Sequence, residues 1–186
     1  TDAAGGSIRV GVNITDQQLR VPTFVRKVEE AIARMPGIDL TLEVTERDFV
    51  NNEPAALDAM RRLSALGVRF AVDDFGVGFS SIGYLQELPV NVLKTDASFS
   101  AGIDGDERSC GLLRSMVVMG QALGLDVVVE GIERSAQVEH LHEHVGAALA
   151  QGYLLHRPMS LESLARVLRQ NRGQALRPVA RSARSD

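Results

Sequence analysis

The residues able to do chemistry in this sequence recur at one kind of place. Asn13, Glu43, the pair Asp73–Asp74, Lys94 with Asp96, Glu130 and Gln151 each lie at or just after the carboxyl end of a short apolar run. The carboxylates Glu43, Asp73, Asp74 and Glu130, gathered with the amides of Asn13 and Gln151, would repel one another without bound cations. Oxygen-only donors favour Mg²⁺ or Mn²⁺ over zinc or copper. A pair of such ions suits hydrolysis of a phosphodiester, and Lys94 adds positive charge for a developing oxyanion. Taken singly, a strand-end Asp or Asn is more often a helix cap or turn former than a ligand. Six coincidences at equivalent positions carry the inference.

The elements that must position them repeat six times as an apolar run, a polar turn and an amphipathic helix. The runs are Ile8–Ile14, Ile38–Val44, Val68–Val72, Val92–Thr95, Val127–Val129 and the alanine-rich Ala147–Ala150. Pro22 suits a first helical turn, and Asn51 or Asn52 can cap the helix that Pro54 opens. In that helix Leu57, Met60, Leu63 and Leu66 recur at helical spacing before Gly67. A longer helix spans about Asp106 to Leu123, and shorter ones cover about Ser81–Leu88, Ser135–His144 and Leu161–Arg169. Alternating strands and helices imply a parallel sheet with right-handed crossovers, either open and doubly wound or closed as a barrel. The first strand lacks a Gly-x-Gly-x-x-Gly turn, which disfavours a dinucleotide fold. A barrel needs eight strands, and six are present, so the reading is a TIM-like (β/α) barrel incomplete at the amino terminus. Residues 1–169 form that domain. From Gln170 periodicity is lost, and 170–186 read as an Arg-rich disordered tail.

Asp73-Asp74-Phe75-Gly76-Val77-Gly78-Phe79-Ser80-Ser81 is the most specific stretch. Side chains alternate along a strand, so both aspartates cannot point inward from a regular one. The second must sit where the strand gives way to the loop, letting adjacent carboxylates address two metals. Gly76 and Gly78 make that loop pliable, and Ser80 or Ser81 can cap the next helix.

Composition narrows the function classes. The 186 residues are 45% apolar and 24% charged, with net charge −4, 4% aromatic, no tryptophan and one cysteine. That excludes an internal disulfide framework and argues against a nucleic-acid polymer as partner. No apolar run approaches the roughly 20 residues of a membrane span, so no membrane contact is expected from this segment. Cysteine usage fits a reducing compartment and a cytoplasmic location. The first residues read as the end of a linker or helix, which suggests a fragment of a longer protein.

These motifs resemble the EAL domain family of bacterial cyclic di-GMP phosphodiesterases. Val12-Asn13-Ile14-Thr15 is similar to the family's Val-Asn-x-Ser strand end, and Glu43-Val44-Thr45-Glu46 to its Glu-x-Thr-Glu. The Asp-Asp-Phe-Gly-x-Gly-x-Ser-Ser stretch matches at every fixed position. Leu93-Lys94-Thr95-Asp96-Ala97-Ser98-Phe99, Glu130-Gly131-Ile132-Glu133, Gln151-Gly152-Tyr153 and Arg157-Pro158 resemble the remaining motifs in order. The resemblance implies hydrolysis of cyclic di-GMP to the linear dinucleotide pGpG. It implies that Asn13, Glu43, Asp73, Asp74 and Glu130 hold two Mg²⁺ or Mn²⁺ ions, with Asp73 bridging. Lys94 would activate or orient the attacking water, Glu130 would be a candidate base, and Gln151 would hold a metal-bound water. Asp96 and Arg157 would serve that water or the substrate. Glu46, with Phe75, Gly76 and Gly78, would support the loop after Asp74, and Glu133 would support the site or a homodimer contact. A sensor or cyclase domain is expected upstream. The family's Glu-Ala-Leu motif lies before the Val-Asn element and is absent here; Glu30-Ala31-Ile32 is a helical decoy. Thr95 replaces the usual isoleucine and Arg134 the usual threonine. The alternative is a catalytically inactive EAL domain acting as a cyclic di-GMP receptor or protein-interaction module.

Overall fold

The computed structural model describes residues 8–51, 54–78, 82–147 and 149–171. Among these residues six strands form one sheet: β1 Ile8–Ile14, β2 Ile38–Thr45, β3 Arg69–Phe75, β4 Val92–Thr95, β5 Asp126–Val129 and β6 Leu149–Ala150. Every neighbouring pair is parallel, and the spatial order is β1-β2-β3-β4-β5-β6. A doubly wound sheet reverses its order at a switch point. This one never does, so successive right-handed crossovers keep to one face, the winding of a β/α barrel wall. Strand order therefore bears out the barrel reading over an open doubly wound sheet.

The helices are α1 Asp16–Leu19, α2 Pro22–Arg34, α3 Pro54–Ser64, α4 Ile82–Leu85, α5 Glu107–Ala122, α6 Ser135–His140 and α7 Leu161–Asn171. Asp106 caps α5 by accepting from the amides of Arg108 and Ser109. Pro22 opens α2 as expected, and the decoy Glu30-Ala31-Ile32 lies inside it. After α6 the chain continues as a π turn, Leu141–Val145, closed by Gly146. Ser160 opens α7, its hydroxyl accepting from the Ser163 amide. α7 runs two residues into the stretch expected from Gln170 as tail, while the expected caps Asn52, Ser80 and Ser81 and residues 172–186 lie outside the described residues. Among described residues no helix is long and apolar enough to cross a membrane.

Period-two alternation sorts each strand into two faces. Leu42, Val44, Phe70, Val72, Leu93, Val127 and Val129 are buried in the main apolar core. On α3 the buried stripe is Ala56, Ala59, Met60 and Leu63. Leu66, expected on that stripe, is half exposed because the helix ends at Ser64 and turns away. Gly120 lets α5 close onto the sheet: a Cβ there would strike Val127 and crowd Leu93. The alternate positions, Glu43, Ala71, Asp73, Lys94 and Val128, therefore belong to the opposite face, where the polar cluster forms.

The chain divides into two contact units, 1–155 and 156–186. The sheet belongs to the first; α7 and Arg157, which is exposed, belong to the second.

Candidate functional site

Parallel pairing in register sets the first contacts. Asn13 lies directly opposite Glu43, and Thr45 opposite Asp73. Gly11, two residues before Asn13 on the same strand face, makes room for the Glu43 side chain: any Cβ there would strike that carboxylate. The sequence reading missed this residue, whose one signal was a glycine interrupting an apolar strand.

Lys94 is the hub. Its side chain is 8% exposed, and its ammonium lies 2.6 Å from Glu43 Oε2, 2.8 Å from Asp73 Oδ1 and 2.8 Å from Glu130 Oε1. Burial works to lower its pKa, but bonds to the surrounding carboxylates hold it above the ordinary lysine range. Glu130 shifts upward, first through burial and then through the charges of Asp73 and Glu43, against the pull of Lys94.

Asp74 solves the alternation problem differently from the sequence expectation. The strand does not end at Asp73 but runs on to Phe75, and Asp74 takes a left-handed φ of 54° inside it. The β3–β4 register shifts between Val72 and Phe75. This irregularity lets consecutive aspartates address one site. One oxygen from each of Asp73, Asp74 and Glu130 lies within 4.8 Å of the others. Burial, then the charges of Asp73 and Asp96, push the Asp74 carboxyl up.

The cluster passes a fit test for hard cations. Asp73 Oδ1 and Glu130 Oε1 are buried, and among the described residues the carboxylates of Glu43, Asp73 and Glu130 share the single positive charge of Lys94. Buried acceptors of this kind, in an oxygen-only set, are the ligands Mg²⁺ or Mn²⁺ would take.

The loop after Asp74 is fastened from below. Glu46, 3% exposed, accepts from the amides of Gly76 at 2.8 Å and Gly78 at 3.1 Å. Gly76 has φ 102°, and a Cβ there would run into Phe99 and Met116; one at Gly78 would crowd the Glu46 carboxylate. Phe75 is buried beside this turn. Glu46→Gln keeps the shape but removes the charge, which should cost about 1.5–3 kcal/mol. Hydrogen exchange should accelerate at the Gly76 and Gly78 amides while the strand amides stay protected.

Asp96 caps the 3-10 turn Ala97–Phe99, accepting from the Ser98 amide at 2.9 Å. Gln151 is exposed, one residue beyond the Val129–Ala150 pair as Glu130 is; its amide donates to Val129 and its carbonyl accepts from Ile132. Glu133 is exposed at the start of the α6 turn, its amide donating to Gln137 Oε1.

Gln137, unnoticed in the sequence, ties these loops together. It is 1% exposed; Oε1 accepts from the amides of Glu133 and Arg134, each at 2.8 Å, and Nε2 donates to Ser100 O at 2.8 Å. Arg134, the departure from the usual threonine, adds two bonds to Asp104 and one to Ala101 O. Thus the segment after β4 is braced by the segment that carries Glu130. Gln137→Leu strands the buried Ser100 carbonyl and two part-buried amides and should cost about 3 kcal/mol. Urea unfolding checks this; a change below 1 kcal/mol would show the bonds to be replaceable by water.

Comparison with known proteins agrees with this geometry. The family profile of the EAL domain matches residues 1–158. The cyclic di-GMP phosphodiesterase NbdA of Pseudomonas aeruginosa is 37% identical over 174 residues, 92% of this chain and 22% of that protein. A solved structure, the PaMucR phosphodiesterase in complex with c-di-GMP, aligns with TM-score 0.74 and 36% identity over 84% of this chain and 64% of that one. The EAL domain of Mycobacterium smegmatis DcpA aligns with TM-score 0.78 and 30% identity over 88% of this chain and 73% of that one. The chain spans about a fifth of the length of a full-length relative such as NbdA. By the extent of the profile match and the identity shared with these relatives, the chain belongs to the EAL domain family.

Proposed function

We propose that this domain hydrolyses cyclic di-GMP to linear pGpG with the help of two divalent cations. The observation that carries the reading is the convergence of Glu43, Asp73 and Glu130 on Lys94, with Asp74 turned toward the same cluster. Asn13, Glu43, Asp73, Asp74 and Glu130 are the residues to hold Mg²⁺ or Mn²⁺, with Asp73 shared. When bound, such ions supply Lewis acidity at the phosphodiester and ionise water near neutral pH.

The chain's own groups do the rest. Lys94 stays protonated at working pH, and its positive charge, held among Glu43, Asp73 and Glu130, offsets the negative charge that grows on the phosphoryl oxygens. Glu130, held beside Lys94 and the neighbouring carboxylates, is the candidate proton acceptor for the attacking water. Glu46 holds the Gly76–Gly78 turn, and so the Asp74 carboxylate, in place. In-line attack then breaks one phosphodiester bond and opens the ring.

Receptor domains of this kind usually lack metal ligands, whereas Asn13, Glu43, Asp73, Asp74 and Glu130 are all present here. The family's Glu-Ala-Leu element, which lies upstream of them, decides between the readings, and the 186 residues alone are expected to be weakly active or inactive. The test is turnover of cyclic di-GMP by the full-length protein with Mg²⁺ or Mn²⁺. Accumulation of pGpG supports the reading. Tight binding without turnover would favour the receptor instead.

A further inference from the structure

Beside the acidic cluster lies a cleft of about 360 Å³, lined by Thr45, Glu46, Arg47, Asp74, Val77 and Gly78 together with Asp96. That volume falls within the roughly 300–1,000 Å³ of small-molecule sites. Its polar groups are unevenly committed. Glu46 is engaged by two loop amides, and Asp96 spends Oδ1 on the Ser98 amide. Among the described residues Arg47 is the one cation in the lining; it is exposed and makes no hydrogen bond or ion pair with them. Its charge is felt at Asp74, yet no ion pair forms between them. Val77 adds an exposed apolar surface, 48% accessible.

Asp74 belongs to both the carboxylate cluster and this cleft. A cyclic dinucleotide with its phosphate at the cluster would have this cleft as its neighbouring surface. Guanine shows two adjacent acceptors, O6 and N7, on one edge and N–H donors beyond them. The planar guanidinium matches the O6/N7 pair as a fork, and adenine replaces O6 with a donor amine that repels it. The second oxygen of Asp96 is an acceptor suited to guanine's N1–H or amino group.

Resting on the cyclic di-GMP reading above, we infer that this cleft seats one guanine base, with Arg47 on its O6/N7 edge as the specificity-determining residue. Val77 contacts the base face, and Asp96 accepts from the donor edge.

The test compares full-length protein with its Arg47→Ala variant, reading kcat and KM for cyclic di-GMP and the inhibition constant of cyclic di-AMP, which shares the sugar–phosphate ring. Loss of a bidentate base contact should raise KM roughly 5- to 150-fold. Turnover at saturation and the cyclic di-AMP constant should each stay within about threefold. An unchanged KM overturns the inference. So does an equal loss for both dinucleotides, which would put Arg47 on the shared ring. If the unmodified protein does not turn over cyclic di-GMP, the enzymatic reading fails separately and equilibrium binding of the two dinucleotides applies the same criterion. Absence of cyclic di-GMP binding would end both.

Discussion

Asp73→Asn should lower turnover of cyclic di-GMP by on the order of 10³-fold, with little change in the thermal midpoint. Asparagine keeps the shape of the side chain but removes the negative charge and turns an NH₂ group toward Lys94. Electrostatic groups aimed at a reacting centre are worth about 10²–10³ each, and a carboxylate proposed to be shared by two cations would bear on both. The fold should tolerate the change because Asp73 sits among like charges, whose repulsion is partly relieved. Rates measured across Mn²⁺ concentrations provide the check. A kcat within tenfold of the parent would remove Asp73 from its shared role.

Lys94→Met should have the largest effect on stability. The substitution keeps an unbranched chain but leaves Glu43, Asp73 and Glu130 facing one another with no cation; their side chains are 14% to 17% exposed. Removing one partner from a buried ionic cluster costs about 3–5 kcal/mol. The sign of the pH dependence follows from the carboxyls. Glu130 already has a folded pKa above its ordinary value of 4.5, and losing Lys94 raises it further. A carboxyl that binds protons more readily when folded destabilises fully above that raised pKa. The penalty shrinks as pH falls through it and is gone below about 4.5. Urea midpoints in chelator should therefore converge between variant and parent in acid. At neutral pH, Mg²⁺ should recover more stability in the variant, because it restores positive charge where none remains. Parallel pH curves for the two proteins would contradict this assignment.

What could be read directly was whatever depends on local pattern. β1 and β4 begin and end where their β-branched runs do, and α5 fills the stretch between its Asp106 cap and Gly124. The polar residues at the ends of β2, β3 and β4 were visible because each interrupts an apolar run. What stayed hidden depends on partners distant in sequence. The room Gly11 makes for Glu43 exists only once β1 and β2 pair. Gln137 looked like an ordinary helix residue, since its acceptor Ser100 O lies 37 positions away. Alternation required an irregularity near Asp74, but its form, a left-handed residue inside a continuing strand, is set by contacts with β4 and by Glu46 below the loop. Leu66 misled because helical spacing persisted past the residue where the helix stopped.

The proposal that strand-end carboxylates trap hard cations is tested most directly by locating the ions. Crystals of the full-length protein soaked in Mn²⁺ should show anomalous density against the carboxylates of Asp73, Asp74 and Glu130, and the same soak of Asp73→Asn should lose it. Density absent from those carboxylates in the parent protein, at Mn²⁺ concentrations that support turnover, would contradict the account.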